Sequence, residues 1–301
     1  MKRIDVSVLV VGFGSIGSLI VYALNRVGIE PAVVSRSTPR GRAIRTPGGS
    51  SVELRAEVST WDSLGDRWDY VFVTTKAYDA LDVVRRLRGI DFKLAVFTQN
   101  GLKVLEVAEE VLGVDSVAQL VLNHGVFCNE ELREFVWVGG TRSYLGMKRR
   151  IRSELYELAK YLKVLDVVVV DDIEPYRWLK LAVNASINAL TAILGVPNGF
   201  LIKSAELVNV VKKVAGEVSE VARGLGVELP SDPVAEVLKV AEKTANNISS
   251  MLSDLRRCRK TEVDFINGAV VEFGRSLSIP TPYNELLYSL VKSLELVCRS
   301  V

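Results

Sequence analysis

The chain has 301 residues, 49% of them hydrophobic and 25% charged, a balance that excludes a disordered or fibrous protein and leaves room for two domains. Its 38 Lys and Arg stand against 36 Asp and Glu, and the resulting net charge of +2 is too mild to point to nucleic acid as a partner. Three scattered cysteines (Cys128, Cys258, Cys298) lack metal-ligand spacing and read as structural thiols, and with His124 as the single histidine a zinc centre or Ser-His-Asp site is excluded unless His124 alone serves it.

Met1-Lys-Arg leads into a strand-like run without a small-residue cleavage site, and the apolar run that follows is too short for a bilayer. A cytoplasmic protein with no membrane partner is therefore expected. Short β-branched runs at Val6–Val11, Pro31–Val34, Tyr70–Thr74 and Leu94–Phe97 predict buried strands, with helices over Ser15–Val27, Ala80–Leu87 and Val104–Leu112. Such alternation predicts a parallel sheet with helices on both faces. Further strands are expected at Val117–Asn123, Phe135–Val138, Ser143–Leu145 and Val164–Val170, around a helix at Ser153–Leu162. From Glu174 onward the pattern is helical: a helix through Trp178–Leu194, then Leu207–Leu225, Pro233–Asn246, Arg259–Leu277 and Tyr283–Val297. The expected architecture is an α/β, Rossmann-type dinucleotide-binding domain over residues 1–172 and an all-helical domain over 173–301, with ligands favoured near the junction.

Gly12-Phe13-Gly14-Ser15-Ile16-Gly17 follows the first strand and opens the first helix. In that context the first glycine permits a tight turn, the second lets a pyrophosphate approach the backbone, and the third lets helix pack on strand. These six residues are the expected cofactor loop, with the helix N-terminus facing the diphosphate. After the second strand an acidic residue would bind a ribose 2′-hydroxyl; Ser35-Arg36-Ser37 instead offers a cation suited to a 2′-phosphate, so NADP(H) is expected over NAD(H). Arg36 as an ordinary surface arginine is the competing reading. Thr75-Lys76 and Gln99-Asn100-Gly101 sit at C-terminal strand ends, where open α/β sheets place ligands.

In the helical half, Lys180, Asn184 and Asn188 recur at i, i+4 and i+8 of an otherwise apolar segment and so share one helix stripe. Buried polar groups need partners: either these three satisfy each other and nearby backbone, or they line a cleft that receives a polar ligand. A second cluster runs from Asn247 through Ser250 and Asp254, at helical spacing, to Thr261-Glu262. With histidine effectively missing, an ammonium is the natural proton donor for any carbonyl reduction, and carboxamides suit a hydroxylated substrate because each both donates and accepts.

These residues together resemble the ketopantoate reductases, the 2-dehydropantoate 2-reductases of pantothenate and coenzyme A biosynthesis, over essentially the whole chain. The resemblance rests on Gly12-x-Gly14-x-x-Gly17, Thr75-Lys76-Ala77, Asn100-Gly101, Lys180-Leu-Ala-x-Asn184-x-x-x-Asn188, Pro197-Asn198-Gly199, Asn247-Ile-Ser-Ser250-Met-Leu-x-Asp254 and Thr261-Glu262-x-Asp264-x-x-Asn267-Gly268. It implies a two-domain, NADPH-dependent oxidoreductase acting on a small branched 2-oxo acid, with NADH used by some relatives. It further implies that Lys180 is the general acid with Glu262 beside it. Asn100, Asn184, Asn188, Asn198, Asn247 and Ser250 are then implied to contact substrate, and Lys76, Asn100 and Glu262 to lie by the cofactor. His124 matches no catalytic position. A reductase of another 2-oxo or 3-hydroxy acid and a non-catalytic nucleotide sensor are the alternatives; a homodimer is allowed. The run Arg256-Arg-Cys-Arg-Lys260 reads as a solvated helix face, the alternative being a feedback contact with coenzyme A.

Overall fold

The computed structural model describes residues 6–36 and 41–300; the Met1-Lys-Arg segment and Ser37 lie outside them. The chain divides into two compact units, Met1–Gln99 with Val104–Ile173, and Asn100–Lys103 with Glu174–Val301. The boundary expected at 172/173 thus assigns Asn100–Lys103 differently. The reason is local: the Leu102 N–H donates to Phe265 O at 2.9 Å, and Lys103 pairs with Glu272, so this segment is bonded into the helical unit.

The first unit runs β1 (Val8–Val11), α1 (Ser15–Arg26), β2 (Ala32–Val34), β3 (Ala43–Arg45), β4 (Ser51–Glu53), β5 (Glu57–Ser59), β6 (Arg67–Val73), α2 (Ala77–Leu87), β7 (Asp91–Phe97), α3 (Val104–Leu112), β8 (Val117–Val121), β9 (His124–Asn129), β10 (Glu134–Gly140), β11 (Ser143–Gly146), α4 (Ser153–Tyr161) and β12 (Val167–Val169). An eight-stranded sheet takes the order β12-β11-β8-β7-β6-β1-β2-β5, parallel except where β11 meets β8. The interior strand β1, Val-Leu-Val-Val, is buried at all four positions, as expected where helices cover both faces of such a sheet. The chain steps from β1 to β2 on one side and later to β6 on the other, which makes the C-terminal ends of β1 and β6 a topological switch point.

A separate four-stranded sheet, β4-β3-β10-β9, was not expected. Its strands β3, β4 and β9, like β5 at the edge of the main sheet, are short or polar: Ser51-Val-Glu53 shows only its valine partly covered, and β9 has no buried residue. Edge strands bury too little surface to leave a run of apolar residues in the sequence.

The second unit is helical: α5 (Glu174–Leu194), α6 (Ala205–Gly224), α7 (Pro233–Lys243), α8 (Ser250–Arg256), α9 (Asn267–Ser276) and α10 (Pro282–Ser300). At its centre α5 buries Trp178, Leu181, Ala182, Ala185, Ile187 and Ala189. Caps set the starts: the Ser204 hydroxyl accepts from Leu207 N, and Asp232 accepts from Val234 N ahead of Pro233 at the first helical position. The single helix expected over Arg259–Leu277 breaks instead into turns followed by α9. Cys258 takes a left-handed φ of 47° that ends α8, and the Val263 N–H bonds to the Thr261 hydroxyl rather than to a helical carbonyl.

One buried polar network ties this unit together. The carboxylate of Glu217 accepts from Tyr283 N (2.8 Å), Asn284 N (2.9 Å) and Asn284 Nδ2 (2.8 Å), so a residue of α6 caps the start of α10. Asn267 Nδ2 in turn donates to Asn284 Oδ1 (3.0 Å) and Ala185 O (3.1 Å). Removing one partner strands several buried donors, so Glu217→Ala is expected to cost about 2–4 kcal/mol and lower Tm by roughly 5–15 °C in a circular-dichroism melt. A fall under about 2 °C would show that water replaces the carboxylate there without penalty. Among the described residues, no helix is long and apolar enough to cross a membrane.

Candidate active site

The glycine loop joins β1 to α1. Gly12 has φ +102°, and a Cβ there would press on Thr74 and Thr75 at 3.1 Å; a Cβ on Gly17 would lie 2.1 Å from Gly12 O. Neither position tolerates a side chain. Gly14 differs: it precedes α1 with no side-chain cap, and a Cβ there would meet nothing within 4 Å. The amides of the first turn of α1 are thus reachable by a ligand, as a cradle for an anionic diphosphate requires. Phe13 departs from the expected pattern. Its ring is buried and packs on Phe135 at 6.1 Å, so only its backbone is available to a ligand, and Ile16 likewise packs against the core. Ser15 is half-buried at the start of the helix.

Thr74, which the sequence did not single out, holds this loop: its hydroxyl faces Val11 O (3.1 Å) and Gly12 O (2.9 Å). The chain's only two glutamines brace the same strand ends. Gln99 Nε2 donates to Val73 O and Thr75 O, both at 2.9 Å, and Gln119 Nε2 donates to Gln99 O at 3.1 Å. They fix the turn in which Lys76, half-buried, precedes α2. Arg36, largely exposed after β2, pairs with Asp79 in the first turn of α2 at 2.5 Å.

The polar stripe lies in the second unit, where Lys180 and Asn184 are half-buried and Asn188 is buried. Asn184 Nδ2 donates to Asn100 Oδ1 at 3.3 Å, and Asn100 Nδ2 donates to Glu262 Oε2 at 3.4 Å. Glu262 is buried, and its charge acts on Lys180. Burial pushes the Lys180 ammonium down to about 8, against the upward pull of Glu262. Three sites far apart in sequence, Asn100, the Lys180–Asn184 pair and Glu262, thus form one cluster. Asn100 reaches it because Gly101, at φ +82°, lets the chain pass Phe265, whose carbonyl oxygen would lie 2.1 Å from a Cβ.

The remaining residues are organised by a second set of contacts. The Asn198 N–H donates to Asn247 O and the Gly199 N–H to Ala245 O, both at 3.0 Å, while Asn198 Nδ2 donates to Thr244 Oγ1 at 2.9 Å. Asn198 is buried and its Oδ1 has no hydrogen-bond partner among the described residues, as expected of a carboxamide kept for a ligand. Asn247 does not share a helix with Ser250 and Asp254, as its spacing predicted: it precedes α8, with its N–H on Thr244 O. The two adjacent serines divide their work. Ser249 is buried, caps α8 and accepts from Thr191 Oγ1 at 2.8 Å, which leaves Ser250 exposed.

His124 is structural. Its Nδ1 accepts the Trp137 indole N–H at 3.2 Å, which leaves Nε2 to donate to Leu165 O at 3.0 Å and fixes a neutral tautomer. In the cationic run, Arg256 donates to Gly195 O and Arg257 to Ser253 Oγ, so both guanidiniums serve local contacts.

Comparison with known proteins gives a consistent result. A family model described as ketopantoate reductase PanE/ApbA matches residues 8–149, and its C-terminal counterpart matches residues 172–295. The chain is 42% identical over 295 residues to a 2-dehydropantoate 2-reductase of Pyrobaculum aerophilum, covering 97% of this chain and 99% of that protein. It is 34% identical over 297 residues to one from Archaeoglobus fulgidus, covering 96% and 97%. The crystal structure of a PanE/ApbA family ketopantoate reductase from Ralstonia eutropha superposes with a TM-score of 0.85 at 25% identity, covering 97% of this chain and 99% of that one. A D-mandelate dehydrogenase solved with NADH and anilino(oxo)acetate shares the fold, with a TM-score of 0.86 at 22% identity over 97% and 99% of the chains.

Proposed function

The chain belongs to the ketopantoate reductase family, and we propose that it reduces 2-dehydropantoate to (R)-pantoate with NADPH, using Lys180 as the proton donor. The observation that carries this reading is the Lys180–Glu262–Asn100–Asn184 cluster. It puts an ammonium whose pKa is about 8 next to a buried carboxylate and two carboxamides. Ketone reduction needs a hydride at carbon and a proton at the developing alkoxide, and a bound nicotinamide supplies the hydride. Lys180 stabilises the growing negative charge electrostatically and then delivers its proton to that oxygen. Glu262 keeps the amine charged and oriented. Asn100, itself held by Asn184, holds Glu262, and both carboxamides offer hydrogen bonds to a hydroxylated substrate, while Asn188, Asn198, Asn247 and Ser250 complete its recognition. The amides at Gly14 and the start of α1 take the diphosphate, with Phe13, Ser15 and Ile16 contributing backbone, and Lys76 approaches the same ligand.

Arg36 supports NADPH over NADH, because a 2′-phosphate can exchange for the Asp79 carboxylate on its guanidinium. In steady-state assays with 2-dehydropantoate, Arg36→Ala is expected to lower kcat/KM for NADPH by roughly 10–100-fold while changing that for NADH by less than about 3-fold. Equal losses for both nucleotides would make Arg36 a structural residue. A wild-type kcat/KM for NADH equal to or above that for NADPH would remove the preference itself. Use of NADH, as in the D-mandelate dehydrogenase complex, is the second reading, and Asp79 favours it because its carboxylate opposes a second negative charge nearby.

A further inference from the structure

Cys258 and Cys298 stand 40 residues apart in sequence and take no part in the reduction described above. In the fold they converge on one atom. The backbone N–H of Cys258 donates to Leu255 O at 2.9 Å, and the thiol of Cys298, near the end of α10, donates to the same oxygen at 3.2 Å. The two residues are therefore held within the span of two hydrogen bonds that share an acceptor. The Cys258 side chain also acts on the Cys298 thiol and pushes it above its usual value. The exposures differ in a useful way: Cys258 is open to solvent, whereas Cys298 is half-buried.

We propose that Cys258 and Cys298 form a reversible disulfide site, in which Cys258 takes up an anionic low-molecular-weight disulfide and Cys298 resolves it. The chain flanks Cys258 with Arg256, Arg257, Arg259 and Lys260, and that density of positive charge draws an anionic disulfide to the exposed sulfur. The Cys258 thiolate attacks one sulfur of the external disulfide, forming a mixed disulfide and releasing one thiol. The Cys298 thiolate then attacks Sγ of Cys258, closing the internal bond and releasing the second thiol. Two protein thiols lose two electrons, the external disulfide gains them, and the two protons leave on the released thiols.

The bond would join the end of α10 to the segment that runs on to Thr261 and Glu262. That region is already clasped by polar contacts. Glu295 accepts from both Thr261 N and Thr261 Oγ1 at 2.7 Å, Lys292 pairs with Asp264 at 3.3 Å, and the Tyr288 hydroxyl donates to Asp264 at 3.1 Å. A covalent tie adds to this clasp by restricting the unfolded chain.

The test treats the full-length protein with oxidised glutathione, alkylates remaining thiols with iodoacetamide and maps the products by mass spectrometry. The expected product links the Cys258 and Cys298 peptides, with Tm raised by roughly 5–10 °C and restored by dithiothreitol. Cys298→Ser keeps a donor for Leu255 O and should stop at a glutathione adduct on Cys258; Cys258→Ser should give no linked product. Recovery of wild-type Cys258 and Cys298 as alkylated thiols, or as two separate glutathione adducts, would overturn the proposal.

Discussion

Lys180→Ala is expected to lower kcat for 2-dehydropantoate reduction by about 10²–10⁴-fold, the usual contribution of a positioned general acid. Nicotinamide nucleotide binding should change by less than about 3-fold, because the glycine loop and Arg36 are untouched. The wild-type pH profile carries the same information with a definite sign. Only the ammonium can donate, so kcat is flat at low pH and falls as pH rises through the Lys180 pKa, which burial places at about 8. In Lys180→Ala that limb should vanish together with the rate. Near-normal turnover in the variant, or an unchanged basic limb, would take Lys180 out of the mechanism.

Glu262→Gln should lower kcat/KM by roughly 10–100-fold while leaving the fold intact. Glutamine can still accept from Asn100 Nδ2, so the hydrogen bond survives and only the charge is lost. In the wild type that charge raises the Lys180 pKa against the effect of burial. Without it the ammonium deprotonates more easily, and the basic limb of the pH profile moves below about 8. This shift separates the proposed role from a structural Lys–Glu pair, which would alter Tm but leave the position of the limb unchanged.

The parts of this site visible in the sequence are those fixed by local rules. Gly12, Gly14 and Gly17 are legible because their spacing between a strand and a helix is a local signal: the turn excludes a side chain at Gly12 and Gly17, and Gly14 leaves the backbone open to a ligand. Lys180 and Asn184 are legible because helical spacing alone aligns them on α5. The association of Asn100 and Glu262 depends on a contact between positions 162 apart, and no periodicity encodes it; only the resemblance to a family pointed there. Thr74, Ser249 and Glu217 went unnoticed for the same reason, since each is a common polar residue whose meaning lies in partners 58 to 67 positions away. The second sheet stayed hidden because β3, β4 and β9 are partly exposed and carry no continuous apolar run. Over 259–266 the apolar spacing continues that of α9 and so predicts helix; the left-handed Cys258 just before it and the Thr261–Glu295 bonds override it.

A crystal structure of the protein with NADP⁺ and pantoate tests the central claim most directly. The account predicts Lys180 Nζ within about 2.7–3.2 Å of the C2 hydroxyl oxygen of pantoate, with Glu262 at the amine's other side. A pantoate whose C2 oxygen is held by other groups, with Lys180 directed away from it, would contradict the account.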